Sequence, residues 1–219
     1  LRPASPRLSP SNPEITIHDT TVDSNSGRLI ILVDDDLLVI DETVTSPIVH
    51  IESINARSVK VIHSEDRIMA ITESGMLLVY QLSNFDLIGE YNLSAQGTGA
   101  MSPGVWDDTL ASYVSVIEDD STWIAHGCDL FWRAVNTSFN NWSFYDLCNS
   151  NPSQAPFSSV YATSDAVYLG TDGDGLIILE RSEDESMVDI LWSNTTYHST
   201  EPGVTTTIRS DSISSIEMM

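Results

Sequence analysis

Apolar residues along this chain come in short runs cut by Gly, Asn, Asp and Ser, and no segment sustains a helical period. Runs rich in β-branched and aromatic residues between turn formers predict strands. Four segments superimpose: "RLIILVDDDLLVID", "RIMAITESGMLLVYQ", "STWIAHGCDLFWRAV" and "AVYLGTDGDGLIILE". Each is a strand, a tight acidic or glycine-bearing turn, and a second strand. The first leucine after each turn is Leu37, Leu77, Leu130 and Leu176, at intervals of 40, 53 and 46 residues. One strand precedes each hairpin ("TIHDTTV", "SVKVIHS", "YVSVIED", "SSVYATS") and another follows it ("VHIESI", "GEYNLS", "NWSFYDL", "VDILWSN").

Four strands in about 40–50 residues is the size of a β-propeller blade. Such units cannot hide their faces alone, so they stack radially. The expected fold is all-β: a propeller of four-stranded antiparallel blades over 15–57, 58–94, 112–150 and 157–209. Residues 210–219, with "SISSIEMM", start a fifth blade, and 1–14 read as a linker. The long interval contains "AQGTGAMSPGVWDDTLA", residues 95–111, an inserted loop. The arc is expected to belong to a larger ring, completed by the rest of a longer protein or by a second copy.

The last unit and a half carries a more specific pattern. Tyr168, Leu169, Gly170, Thr171, Gly173, Gly175 and Leu176, then Ser210, Ser212, Ile213 and Ile216, resemble the two-component-regulator-type propeller repeat. That family pairs a "lWiGT-GGL" hairpin with an "LpsnsVtsI" strand. Unit three keeps Trp123, Ile124, Gly127 and Leu130, with Ala125 and His126 at the family's Gly-Thr; the first two units keep only the hydrophobic pattern. The resemblance implies a periplasmic or extracellular sensor or ligand-binding propeller of about seven blades. It brings no catalytic residues to transfer.

The turn "GTDGDGL" invites a metal or phosphate reading. Gly173 and Gly175 supply the positive φ that tight turns need, which leaves Asp172 and Asp174 as ordinary turn residues. Calcium is the one cofactor the acidic turns would take. It needs six to eight oxygens, so Asp172 and Asp174 would require help from a neighbouring turn, such as Asp35 between Asp34 and Asp36. No lysine follows the glycines and no helix begins there, which argues against phosphate.

Charge narrows the partners. With 32 Asp+Glu against 9 Lys+Arg the formal net charge is −23, a field that repels nucleic acid and anionic membranes. No apolar run approaches the ~20 residues of a membrane span. Hydrophobic residues are 41% of the chain, enough for a sizeable core. Sequons at Asn92, Asn136, Asn141 and Asn194, with two cysteines, lean towards an extracellular location.

In unit three the chain folds back around Asn136–Asn141. With the turn centred near Ser138, opposed positions sum to about 277, so Cys128 and Cys148 (sum 276) are near cross-strand neighbours. That spacing suits a disulfide worth ~3 kcal/mol; the alternative is two reduced, buried thiols. Of the five histidines, His18 and His63 occur at similar places in first strands and are expected to line the channel. Trp123, Trp132, Trp142 and Trp192 fall in strands and pack between blades. Trp106 instead sits in the inserted loop beside Asp107 and Asp108. With His126, these three form the candidate binding group, on a face made by loop 95–111 and the turns between second and third strands. Trp106 would serve either as a ligand contact or as an anchor for the loop.

The expected function is a non-enzymatic extracellular binding or sensing module for a protein or glycan ligand. Two alternatives stand beside it. One is a surface-layer or adhesion module assembled by cations. The other is a propeller-type glycan lyase or hydrolase, since 32 carboxylates offer many acid–base pairs.

Overall fold

The computed structural model describes residues 15–94, 112–117, 120–147, 155–173, 175–181, 188–194, 196–198, 205–207 and 216. Of these, 146 and the strand residues from 188 to 207 are described by backbone alone. Four four-stranded antiparallel sheets follow one another along the chain. The first holds β1 (Ile17–Asp23), β2 (Arg28–Val33), β3 (Asp36–Ile40) and β4 (Ile48–Ser53). The second holds β5 (Ala56–Ile62), β6 (Arg67–Thr72), β7 (Met76–Gln81) and β8 (Leu87–Asn92). The third holds β9 (Ser112–Ile117), β10 (Ser121–His126), β11 (Asp129–Ala134) and β12 (Ser143–Asp146). The fourth holds β13 (Phe157–Ala162), β14 (Ala166–Thr171), β15 (Leu176–Arg181) and β16 (Val188–Asn194). A short hairpin follows, β17 (Thr196–His198) with β18 (Thr205–Thr207). No described helix is long and apolar enough to cross a membrane.

The marker leucines occupy one structural position. Leu37 pairs with Leu32, Leu77 with Ile71, Leu130 with Ala125 and Leu176 with Gly170. The sheets are stacked through their first strands, β1 on β5, β5 on β9 and β9 on β13, as blades about a common axis. Each junction contains its own apolar layer. Ile30, Leu32, Leu37 and Val39 meet Val59, Ile68, Ala70 and Tyr80. Met69, Ile71, Leu77 and Val79 meet Val114, Ile124, Phe131 and Trp142. Trp123, Ala125 and Leu130 meet Val167, Leu169, Ile177 and Leu179.

This stacking explains two burial patterns from one strand type. In β6, Ile68 and Ala70 enter the first layer while Met69 and Ile71 enter the second, so four successive residues are buried. In β2 only alternate residues are, because just one face of the first sheet is covered. Its other face carries Val22, Leu29, Ile40 and Ile48 in one cross-strand row and Ile31, Leu38 and Ile51 in the next. Val22, Ile48 and Ile51 are each about half exposed or more.

A repeated contact fixes where each blade passes to the next. The Ile54 and Asn55 N–H groups donate to the Asp35 carbonyl, Leu93 N–H to Gly75 and Phe157 N–H to Gly127. Each acceptor lies in the turn between second and third strands. Connectors, first-strand beginnings and those turns therefore share one end of the stack. The Gly127–Cys128 turn needs positive φ at Gly127 (57°), and the matching turn achieves it at Asp34 (49°), a residue type that tolerates that region.

The third sheet departs from expectation. Its outer hairpin pairs Asp129 with Asp146 and Leu130 with Tyr145, a sum of 275 where 277 was expected. Extrapolating that register puts position 147 opposite Cys128. The chain from Val135 to Asn141 uses two consecutive turns, with Asn136 at φ 60°, rather than one centred on Ser138.

Candidate ligand-binding channel

The four first strands and Ile216 surround a cavity of about 630 Å³. Strand register sorts its wall into levels. Asp19, Ser58, Tyr113 and Ser159 lie opposite Leu32, Ile71, Ala125 and Gly170 and form one level. Two residues further in, Thr21, Lys60, Ser115 and Tyr161 form the next. All eight line the cavity.

Three first strands carry a bulge at the same place, between Ile17 and Asp19, Ala56 and Ser58, and Phe157 and Ser159. A bulge inserts one residue and re-aims it. The inserted residues are His18, Arg57 and Ser158, and the first two reach the channel wall. Arg57 is anchored to the Glu73 carboxylate at 2.5 Å and donates to the Asp34 carbonyl of the preceding blade at 3.4 Å. β9 lacks the bulge: Ser112 pairs with His126 directly and Tyr113 with Ala125.

The wall inverts the charge of the protein. Among the described residues it carries Arg57, Lys60, His18 and His63 against one carboxylate, Asp19. Lys60 is the chain's single lysine. Asp19 is satisfied without it: Oδ2 accepts the Ser58 hydroxyl and the Val59 N–H, each at 2.9 Å. The Lys60 ammonium stands 3.5 Å from both Asp19 oxygens, longer than a strong charged hydrogen bond, and has three protons to donate. Within the wall, burial first and the Asp172 charge second push the Tyr113 pKa up, so its hydroxyl is a hydrogen-bond donor.

His18 and His63 both line the channel, but at opposite ends. His18 sits at the bulge of β1, whereas His63 follows β5 and meets the turn after β1: Ser24 Oγ at 3.1 Å, Asn25 at 3.3 Å and Asp23 at 3.4 Å. Burial raises the Asp23 pKa, but the Ser26 hydroxyl, the Asn25 and Ser26 N–H groups and the His63 charge together hold it below the usual range. Similar places in a strand list are thus not equivalent places in a blade.

His126 is 2% exposed, with Nδ1 at 3.1 Å from Ser112 Oγ, so it anchors the start of β9 from inside. Trp106, Asp107, Asp108 and the rest of loop 95–111 lie outside the described residues. The flanks of that loop, Leu93 and Ser112, are at the end that bears the turns between second and third strands. Asp172 is exposed, Asp174 lies outside the described residues, and Asp35 is 3.9 Å from the Arg57 guanidinium. Among the described residues no group of three or more His, Cys, Asp or Glu could hold a metal ion. Gly173 and Gly175 have φ of 127° and 80°, and Thr171 donates both N–H and hydroxyl to the Gly175 carbonyl.

Among the described residues no cysteine is free. Cys128 is half-buried in its turn beside the third apolar layer, and Cys148 lies outside the described residues. Asn92, Asn136 and Asn141 are exposed; Asn194 ends β16 and is described by backbone alone. Trp123 is 1% exposed between the third and fourth sheets and Trp142 6% between the second and third, while Trp132 packs against the layer of Trp123. The side chain of Trp192 lies outside the described residues.

Sequence reasoning missed the arginines that join blades. Arg133 (second to third sheet) forms a fork with Glu65 at 3.0 and 2.7 Å and lies over the Phe139 ring at 3.9 Å. Arg181 (third to fourth) bonds Asp120 at 2.7 Å over Trp123. An arginine flanked by aromatics is visible in "LFWRAV", but its partner is 68 residues away.

No protein-family model matches this chain, and no curated protein does. Solved structures do. The β-propeller domain of Myceliophteria thermophila Cps50 (Swd1) is similar with TM-score 0.53 and 9% identity, covering 75% of this chain and 50% of that one. PorZ, an essential bacterial surface component of the type-IX secretion system of Porphyromonas gingivalis, is similar with TM-score 0.51 and 14% identity, covering 81% of this chain and 21% of that one. The chain thus spans about half of the first and a fifth of the second. The likeness is one of fold: the chain is an all-β protein with the blades of a β-propeller.

Proposed function

We propose that this chain is a non-enzymatic binding module, displayed outside the cell or at its surface, whose channel takes a small polar ligand bearing a carboxylate, such as an acidic sugar. The carrying observation is the charge inversion of the channel wall. In a chain with 32 acids, the described wall gathers two of nine Lys+Arg, two of five histidines and only one carboxylate. The Lys60 ammonium meets the ligand carboxylate, while Thr21, Ser58, Ser115 and the Tyr113 hydroxyl serve its hydroxyl groups. The acidic exterior repels anions at long range, so affinity is modest and rises with salt as that field is screened.

The extracellular setting is supported by the exposed sequon asparagines and by the two cysteines, which we pair as Cys128–Cys148. That PorZ is a surface component agrees with it.

Calorimetric titration with D-glucuronate and with glucose tests the reading. Glucuronate is expected to bind in the roughly millimolar range and glucose not at all. Lys60→Met is expected to abolish binding without changing the melting temperature. Equal binding of both sugars, or of neither, refutes it.

A further inference from the structure

A second cleft, of about 330 Å³, lies between the first two sheets and shares no lining residue with the channel. One side comes from β4 and the connector after it, the other from β6, β7 and β8. Strand register puts a carboxylate on each side. Glu52 pairs with the marker Leu37, so it stands on the face of the first sheet that meets the second. Glu90 pairs with Leu78, which enters the same apolar layer from the second sheet.

The other junctions close this place with aromatic rings. At the second, the matching residues are Tyr91, opposite Leu77, and Phe144, opposite Phe131, and both pack on the apolar layer there. At the third, Tyr145 holds the place of Glu52, opposite Leu130, and packs likewise. Two carboxylates on one cleft instead repel each other and leave it open. Among the described residues neither forms an ion pair with a lysine or an arginine. Glu52 has the His50 imidazole at 3.5 Å.

A buried polar atom in the same cleft points to what fills it. Tyr80 is 1% exposed and lines the cleft, yet its buried Oη completes no hydrogen bond. Burial first, and then the carboxylates of Glu52 and Glu90, push its pKa up. The hydroxyl therefore stays protonated beside Glu52, and its oxygen is available to accept a hydrogen bond. The volume is at the bottom of the range for small-molecule pockets, about 300–1,000 Å³, which suits a single long side chain.

We propose that this cleft is a docking site for a lysine or arginine side chain of a basic partner protein. Glu52 and Glu90 take its charge, Tyr80 Oη accepts one of its N–H groups, and Ile54, Leu78 and Leu87 pack its aliphatic stem. The formal charge of −23 draws such a partner in at long range. The site is separate from the channel and does not depend on the ligand proposed there.

Nuclear magnetic resonance titration of the full 219-residue chain with a capped glycyl-lysyl-glycine peptide, and with its norleucine counterpart, tests the proposal. The lysine peptide is expected to bind in the roughly millimolar range and to shift the methyl resonance of Met76, which lines the cleft. The norleucine peptide, equally long but uncharged, is expected to leave it unmoved. Glu52→Gln/Glu90→Gln should weaken binding at least about tenfold. Asp165→Asn/Asp172→Asn removes the same two charges from exposed positions of the fourth sheet and should leave the affinity within about twofold. Tyr80→Phe deletes only the buried hydroxyl, and should weaken binding about fivefold at an unchanged melting temperature. A Met76 methyl that does not respond to the lysine peptide overturns the proposal, as does an equal response to both peptides. Equal losses in the two double variants also overturn it, because the peptide then answers to the overall field and not to the cleft.

Discussion

Removing the Glu65 carboxylate gives the sharpest test of how the blades are joined. Glu65 and Arg133 form a two-pronged bridge with side-chain exposures of 9% and 0%, so water screens neither. Glu65 Oε1 also accepts the Asn136 N–H at 2.8 Å. Glu65→Leu strands a buried guanidinium whose remaining acceptors are the Thr137 carbonyl at 2.9 Å and the Ala134 carbonyl at 3.3 Å. Breaking a buried pair on one side costs ~3–5 kcal/mol. At about 2–4 °C per kcal/mol for a chain of this size, the melting temperature should fall by about 6–20 °C. The double variant Glu65→Leu/Arg133→Met should recover most of the loss, since the expense lies in the orphaned charge. The pair also has a pH signature. Burial alone would raise the Glu65 pKa, but the Arg133 bond, the Asn136 N–H and the charges of Arg133 and Arg67 hold it below the usual range. Its contribution is therefore present above the unfolded value near ~4.3 and disappears as pH falls through the lower folded value. The wild type should lose stability below about pH 4, and the double variant should lose less over that interval. Thermal unfolding by circular dichroism from pH 3 to 7 measures both effects. A shift under ~2 °C for Glu65→Leu, or a double variant as damaged as the sum of the singles, would refute the reasoning.

Two further outcomes follow from the same structure. The Cys128–Cys148 disulfide we assign should appear as a two-dalton deficit in the intact mass, and its reduction should cost ~3 kcal/mol in denaturant unfolding; an unchanged midpoint in reductant rules the bond out as a stabiliser. Gly89 lies under the Tyr91 ring, where an added Cβ would meet the hydroxyl oxygen at 2.5 Å, and Tyr91 stacks on Phe139 at 5.7 Å. Gly89→Ala should therefore cost ~1–3 kcal/mol and move the Phe139 ring resonances, and a silent spectrum would show the ring swings away freely.

The repeat was legible because it is written in local chemistry. A leucine after a tight turn marks the same rung in all four blades, and the pairings Leu32–Leu37, Ile71–Leu77, Ala125–Leu130 and Gly170–Leu176 place it there. Local chemistry did not reveal how the outer hairpin of the third sheet pairs. The segment "AVNTSFNNWS" offers several Asn and Ser turn formers, and a one-residue change in turn use shifts the register sum by two. The bulges at His18, Arg57 and Ser158 were equally silent, since they show in sequence as an ordinary residue in a strand. His18 and His63 illustrate the same limit: both were expected at the channel and both are there, yet only the three-dimensional register separates its two ends. Trp106 with Asp107 and Asp108 was chosen for its chemistry in a loop, and the described structure reaches only the flanks of that loop.

Cation placement links these observations. Six of the nine Lys+Arg lie among the described residues, and four of them cross or brace a blade junction: Arg57 to Asp34, Lys60 to Asp19, Arg133 to Glu65 and Arg181 to Asp120. Arg28 braces its own blade through Asp41 while lying over Phe85 of the next. With formal charge −23, every blade repels its neighbour. A cation at a junction opposes that repulsion most effectively where the local dielectric is low. Three of these sites are well satisfied: Arg57 at 2.5 Å, and Arg133 and Arg181 at 2.7 Å. Lys60 alone stands back at 3.5 Å from a carboxylate already bonded to Ser58 and Val59. A pair this long and this exposed is a weak brace, and it leaves the ammonium free to donate to an incoming carboxylate. Lys60→Met therefore separates the two roles: a brace would lower the melting temperature, and a receptor would lower only the affinity for the acid.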